Sequence, residues 1–127
     1  VSSVQVARCI ISFTWLYHGI FPKIVHIAPL EALIISSFGF SSDISTFITK
    51  AAGIGEIVFG VFFFIFYKTY IANALNIIGL TGLLASVAVL QPQLLIEAFN
   101  PVTTNIPLIA FSVILLSHIR KVDFKNR

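Results

Sequence analysis

The sequence predicts an all-α integral membrane protein: a four-helix bundle with short interfacial helices in its two outer loops. Three observations carry this. The 127 residues are 57% hydrophobic, with a mean hydropathy of +1.00. Only 10% are charged, whereas a soluble domain carries about 25%. The apolar residues fall into four runs, at 4–22, 44–66, 71–90 and 102–119, each close to the ~20 residues that cross a ~30 Å hydrocarbon core. These runs lack strand-like alternation, so their backbone polar groups must be satisfied within helices. A single transmembrane domain over 1–127 is expected.

The first run opens with Arg8 near its start and ends at "TWLYHGIFPK". It is long and lacks a small-residue cleavage site, so it reads as a spanning helix rather than a signal peptide. Val1 is read as a processed terminus after loss of Met or as the start of a trimmed segment. Trp15 and Tyr17 suit an aromatic belt, Pro22 ends or kinks the helix, and Lys23 marks the water interface. Arg8, Ser12, Trp15 and Gly19 form one stripe with His18 at its edge, and Cys9 reads as a small packing residue.

Two segments resemble interfacial helices. Residues 29–38, "PLEALIISSF", put Leu30, Leu33, Ile34 and Phe38 on one face with Glu31 off it; residues 92–99, "PQLLIEAF", look similar. The second and third runs are joined by "FYKTYI", which makes them antiparallel neighbours. On the third, Asn73, Asn76, Gly79, Gly82 and Ser86 are expected as polar and small interhelical contacts. The fourth starts after "NPVTTNIP", with Thr103, Thr104 or Asn105 as N-cap and Pro107 in the first turn.

Arg8, Lys68 and the basic tail "RKVDFKNR" place both termini in the cytoplasm by the positive-inside rule. The long loops, with Lys23, Glu31, Asp43 and Glu97, then face outward. The net charge of +3 and pI of about 9.3 come from these flanking residues. No basic patch interleaves with aromatics, so nucleic acid is not an expected partner.

Glu56 lies about 18 Å into the second run, counted from Ile44, near mid-membrane. A charged acid there costs about 2.5–3.5 kcal/mol on insertion scales. Thr49, Gly53, Glu56 and Gly60 share one helical stripe, which lets a neighbouring helix approach. Three readings stay open for Glu56: a protonated acid bonded across a helix pair, a proton-handling or ligand-binding acid, and an ion pair with a basic neighbour. Lys50, about 9 Å into the same run, is expected to snorkel outward. His18, near the outer end of the first run, is either a packing residue or a functional one. No metal site is expected, because no second His stands at ligand spacing. Nor is there a nucleophile pair, phosphate loop or acid dyad.

"FTWLYHGIFPK", then "GIGEIVFG", then "FNPVTTN", in this order and at these separations, resemble the DoxX-like family of small bacterial membrane proteins. The resemblance covers nearly the whole chain and implies a compact four-helix membrane bundle. It marks Trp15, Tyr17, Gly19, Pro22, Lys23, Gly53, Glu56, Gly60, Asn100, Pro101 and Asn105 as motif positions. Some members are linked to membrane redox chemistry, as small subunits of thiosulfate–quinone oxidoreductases or as partners in oxidative-stress complexes.

The resulting expectation is an accessory subunit or ligand-binding module of the bacterial inner (cytoplasmic) membrane, binding a quinone or lipid. Its candidate pocket has Trp15 and His18 above Glu56, with Lys23, Lys50, Asn100 and Asn105 completing it. The chain itself carries no cofactor-binding motif. Whether it is an enzyme stays open: the alternatives are a redox enzyme subunit in which Glu56 or His18 handles protons, and a small oligomeric transporter. Other membrane subunits or a second copy are the expected protein partners.

Overall fold

The computed structural model describes residues 2–127; Val1, with the expectation attached to it, lies outside them. Among the described residues five α-helices follow in order: α1 (Ser3–Gly19), α2 (Pro29–Ser36), α3 (Ser42–Phe66), α4 (Tyr70–Leu90) and α5 (Pro101–Lys125). A π-helical segment (Ile20–Val25) continues α1, and a 3-10 helix (Pro92–Ile96) follows α4. Among the described residues there is no strand. The chain divides into two compact units, one of Val1–Ile11 with Phe62–Arg127 and one of Ser12–Val61.

Among the described residues three helices are long and apolar enough to cross a membrane: α3, α4 and α5, with mean hydropathies of 1.8, 1.8 and 1.7. A fourth crossing exists if Ser3–Val25 and Pro29–Ser36, bent by 83° at their break, count as one span. Large apolar side chains lie exposed along these helices, Phe47, Ile78 and Val89 among them, as lipid contact requires.

The first helix runs further than the sequence suggests. Pro22 has no N–H to give, and its ring crowds the carbonyl four residues back. The chain answers by widening the turn instead of stopping. The His26 N–H donates to Phe21 O (3.3 Å), five residues back, and Ala28 N–H donates to Pro22 O (2.9 Å). Only at His26, φ −152°, does the backbone become extended.

In the unit Ser12–Val61, the small residues of α1 and α3 meet. A Cβ added at Gly19 would stand 2.5 Å from Gly53 O, and one at Gly53 would stand 2.7 Å from Gly19 O. Gly60 faces Leu16 and Ser12. Thr49 is buried on the same stripe, its hydroxyl donating to Ser45 O (2.8 Å). The stripe of Thr49, Gly53, Glu56 and Gly60 expected from spacing is therefore the face that packs. Trp15 meets Phe59 edge-on, ring centroids 4.8 Å apart.

In the other unit, α4 and α5 pack along Ala72, Leu80, Val87, Leu108, Leu115 and Ile119, all buried. Polar bonds fix the register. Asn76 Nδ2 donates to Ser112 Oγ (2.7 Å), and Asn105 Nδ2 donates to Leu80 O (3.2 Å). Asn73 Nδ2 donates to Tyr67 O (2.8 Å) and Thr69 O (2.9 Å), closing the short α3–α4 turn. Thr69 caps α4 by accepting from Ala72 N. Asn76 thus makes the interhelical bond expected of it, whereas Asn73 bonds to the turn before its own helix; Gly82 and Ser86 are exposed, and Ser86 Oγ bonds back to Gly82 O. Cys9 is also exposed rather than packed. Arg8 stacks over Phe64 (3.8 Å) and Tyr67 (4.4 Å) and donates to Phe64 O.

Two loop expectations need correction. Residues 92–99 do not form an α-helix: a 3-10 turn covers Pro92–Ile96, then Phe99 takes φ +53°. That left-handed backbone costs roughly 1–2 kcal/mol. It leads into the next element, because Asn100 caps α5, with Oδ1 accepting from Val102 N (2.9 Å) and Thr103 N (3.2 Å). The cap is therefore Asn100, not Thr103, Thr104 or Asn105, and Pro107 lies inside the helix. Pro101 holds the first helical position, where its missing N–H does no harm. In the other loop α2 forms over Pro29–Ser36, two residues shorter than expected, and Gly39 at φ +80° turns the chain toward α3.

Two stability predictions follow from these contacts. Gly53→Ala is expected to lower stability in detergent by about 1–3 kcal/mol, since the new Cβ would stand 2.7 Å from the backbone Gly19 O and 2.9 Å from Lys23 Cβ, which is fixed to its own backbone. Gly55→Ala, where nothing lies within 4 Å, is the matched control and should cost nothing. Asn76→Leu should cost about 0.6–1.7 kcal/mol through the lost bond to Ser112, with Ser112→Ala adding little more in the double variant. Thermal unfolding followed by circular dichroism measures both.

Candidate functional site

The site grows from the widened turn. It carries Lys23 around to the packed side, so that its Cβ lies against Gly53. Gly53 is about 16 Å along α3 from the Ser42 end. Lys23 is not open to water as a flanking lysine would be: it is 7% exposed and is a core residue of its unit. Glu56, one turn on from Gly53 along the same stripe, meets it, Nζ to Oε2 at 3.1 Å. The bend after the π-helical segment brings back the first turn of α2, and Glu31 Oε1 lies 2.8 Å from the same Nζ. One ammonium sits between two carboxylates contributed by two different helices.

The side chains of Lys23, Glu31 and Glu56 are 9%, 22% and 14% exposed, so water screens them little. Three charges in such a place attract strongly but have each lost hydration, and the pairing offsets that loss only if no charge is left over. Here one is. With both carboxylates ionised the trio carries a net −1. Glu56 Oε2 is buried and has the Lys23 ammonium, 3.1 Å away, as its partner. The arrangement is completed by a proton, a cation or a hydrogen-bond donor placed at Glu56. His18, half-buried on α1, lies within electrostatic range of both Lys23 and Glu31. Among the described residues no group of three or more His, Cys, Asp or Glu side chains is placed to hold a metal ion.

The other sequence candidates fall differently. Trp15 is half-buried beside Phe59. Lys50 is exposed and has no ion pair to the carboxylates of the cluster among the described residues. Asn100 and Asn105 belong to the other unit, where Asn100 caps α5 and Asn105 bonds to Leu80 O. Glu31 was missed as a member. Its place off the apolar face of α2 gave no sign of a partner eight residues earlier, across Pro29 and a bend.

The first two motifs are therefore the two sides of one contact. Gly19, Pro22 and Lys23 supply the close approach, the widened turn and the cation; Gly53, Glu56 and Gly60 supply the facing surface and the acid. The third motif provides the cap of α5. The sequence profile of the DoxX-like family matches residues 12–113, which takes in all three. The chain belongs to the DoxX-like family. Neither the curated proteins nor the solved structures contain a match to it.

Lys23→Met leaves two shielded carboxylates without their cation. It should destabilise the protein by about 3–5 kcal/mol. Adding Glu56→Gln to Lys23→Met should recover part of that loss. A double-mutant cycle in chemical denaturant measures the coupling, and additive losses would show that the two groups do not interact.

Proposed function

We propose that this DoxX-like protein is a ligand-binding module, acting as an accessory subunit in a complex of the bacterial inner membrane, and that the site built on Lys23 and Glu56 takes the polar head of a quinone or lipid. One observation carries this reading: a shielded cluster in which two carboxylates share one ammonium, so that Glu56 has room to accept from a further hydrogen-bond donor. A quinol or glycerol hydroxyl supplies that donor. The Lys23 ammonium answers a carbonyl or phosphate oxygen on the same head, and an apolar tail goes to the lipid beside the exposed apolar faces. In this reading the termini are cytoplasmic, and α2 with the 92–96 turn lies at the outer interface, where Glu31 ties α2 down beside the ligand.

A second reading rests on His18. A histidine within electrostatic range of a lysine and a carboxylate is suited to passing protons. The chain would then serve a redox complex by moving protons through His18 and Glu56, while a cofactor-bearing partner moves the electrons.

Mass spectrometry of the protein extracted gently from its native membrane separates the two. One enriched quinone or lipid, present in the wild type and lost in Glu56→Ala, is the result expected of a ligand-binding module. A stoichiometric cofactor-bearing subunit, whose turnover falls in both Glu56→Gln and His18→Gln, favours proton handling. Recovery of the chain with neither would overturn both.

A further inference from the structure

At the junction of the α4 N-terminal end and the α5 C-terminal end lies a recess lined by Tyr70, Arg120, Asp123, Phe124 and Arg127. It shares no residue with the Lys23 cluster. We propose that this recess is a binding site for the phosphate headgroup of an anionic phospholipid.

Position is the first argument. From Pro101 to Arg120, α5 rises about 28 Å, close to the thickness of the hydrocarbon core; Arg127 lies past the end of the helix at Lys125. The two arginines therefore bracket the level of the lipid phosphates. Tyr70 begins α4, whose 21 residues also match the core, and its hydroxyl donates to Asp123 Oδ2 at 3.1 Å. That bond sets the start of α4 and the end of α5 at one level.

Charge is the second. Arg120 lies in the last turns of α5 and Arg127 just past its end, and both line the recess. Both act electrostatically on the Tyr70 hydroxyl, so they converge on the recess. Asp123 is engaged by Tyr70, and neither arginine forms an ion pair among the described residues. Two guanidiniums against one carboxylate leave a surplus positive charge, and their planar forks suit phosphate oxygens. Phe124, 81% exposed, gives an apolar edge for the glycerol and upper acyl chain. A free phosphate uses the guanidiniums but leaves that edge and the membrane depth without purpose.

The test is native mass spectrometry of the full chain, delipidated in detergent, titrated with phosphatidylglycerol or phosphatidylcholine of matched acyl chains. The wild type should prefer phosphatidylglycerol by about tenfold. Arg120→Ala/Arg127→Ala should lose that preference, whereas Lys121→Ala/Lys125→Ala, which removes the same charge from the same helix end, should keep it. An equal loss in both double variants, or no preference in the wild type, overturns the site. Inorganic phosphate at millimolar concentration should not displace the lipid; if it does so completely, the recess binds free phosphate instead. Should the arginine double variant fail to fold, Arg120→Gln alone is expected to show a several-fold loss of preference, and an unchanged preference there also overturns the proposal.

Discussion

A bilayer core offers no water to satisfy a polar group, and nearly every feature of this protein answers to that. The backbone is helical because only a helix satisfies its own amides within one segment. Where α1 must turn at Pro22, the widened π-helical turn keeps the neighbouring carbonyls bonded. Where polar side chains enter the α4–α5 contact, Asn76 and Asn105 find a hydroxyl and a carbonyl. Lys23 is the severest case, and the two carboxylates around it are the answer.

The charged trio depends on close packing that the glycines allow. A side chain at Gly19 or Gly53 would push the two backbones apart, and with them the Lys23 backbone that now lies against Gly53. Small residues and charges are in this sense one device: the first sets the distance and the second uses it. A buried ion pair adds little net stability compared with apolar packing, since desolvation takes back most of the attraction. Retaining one, with an extra carboxylate, suits a site better than a brace. Glu31 adds a mechanical consequence, because it ties the short α2, whose residues are nowhere buried, to the end of the first helix.

The family motifs gain physical content from this arrangement. G-x-x-E-x-x-x-G is a face, with two glycines flanking an acid at helical spacing. The proline and lysine that follow the aromatic stretch are a turn that widens and the cation it delivers. The asparagine-proline pair is a helix start, with a cap followed by the one residue type that loses nothing at the first position.

Composition and run length by themselves determined the membrane class, the approximate limits of the long helices, and the stripe of α3 that packs, because hydropathy and helical periodicity are local properties. They also singled out Glu56, since an acid in mid-membrane is costly wherever it goes. Tertiary structure alone decided what Glu56 meets. Ion pairing with a basic neighbour was one of three open readings, and Lys23 looked interfacial because Pro22 was taken to end or kink the helix. The widened turn keeps the chain helical for one more turn and rotates the lysine inward, and the 83° bend returns Glu31 to it. The α5 start shows the same limit: four cap-competent residues and two prolines within eight positions left the choice to Asn100 hidden until the backbone before it was known. Spacing along one helix can be read from a sequence, but the meeting of two helices across a bend cannot, because it depends on a backbone path that no local pattern encodes.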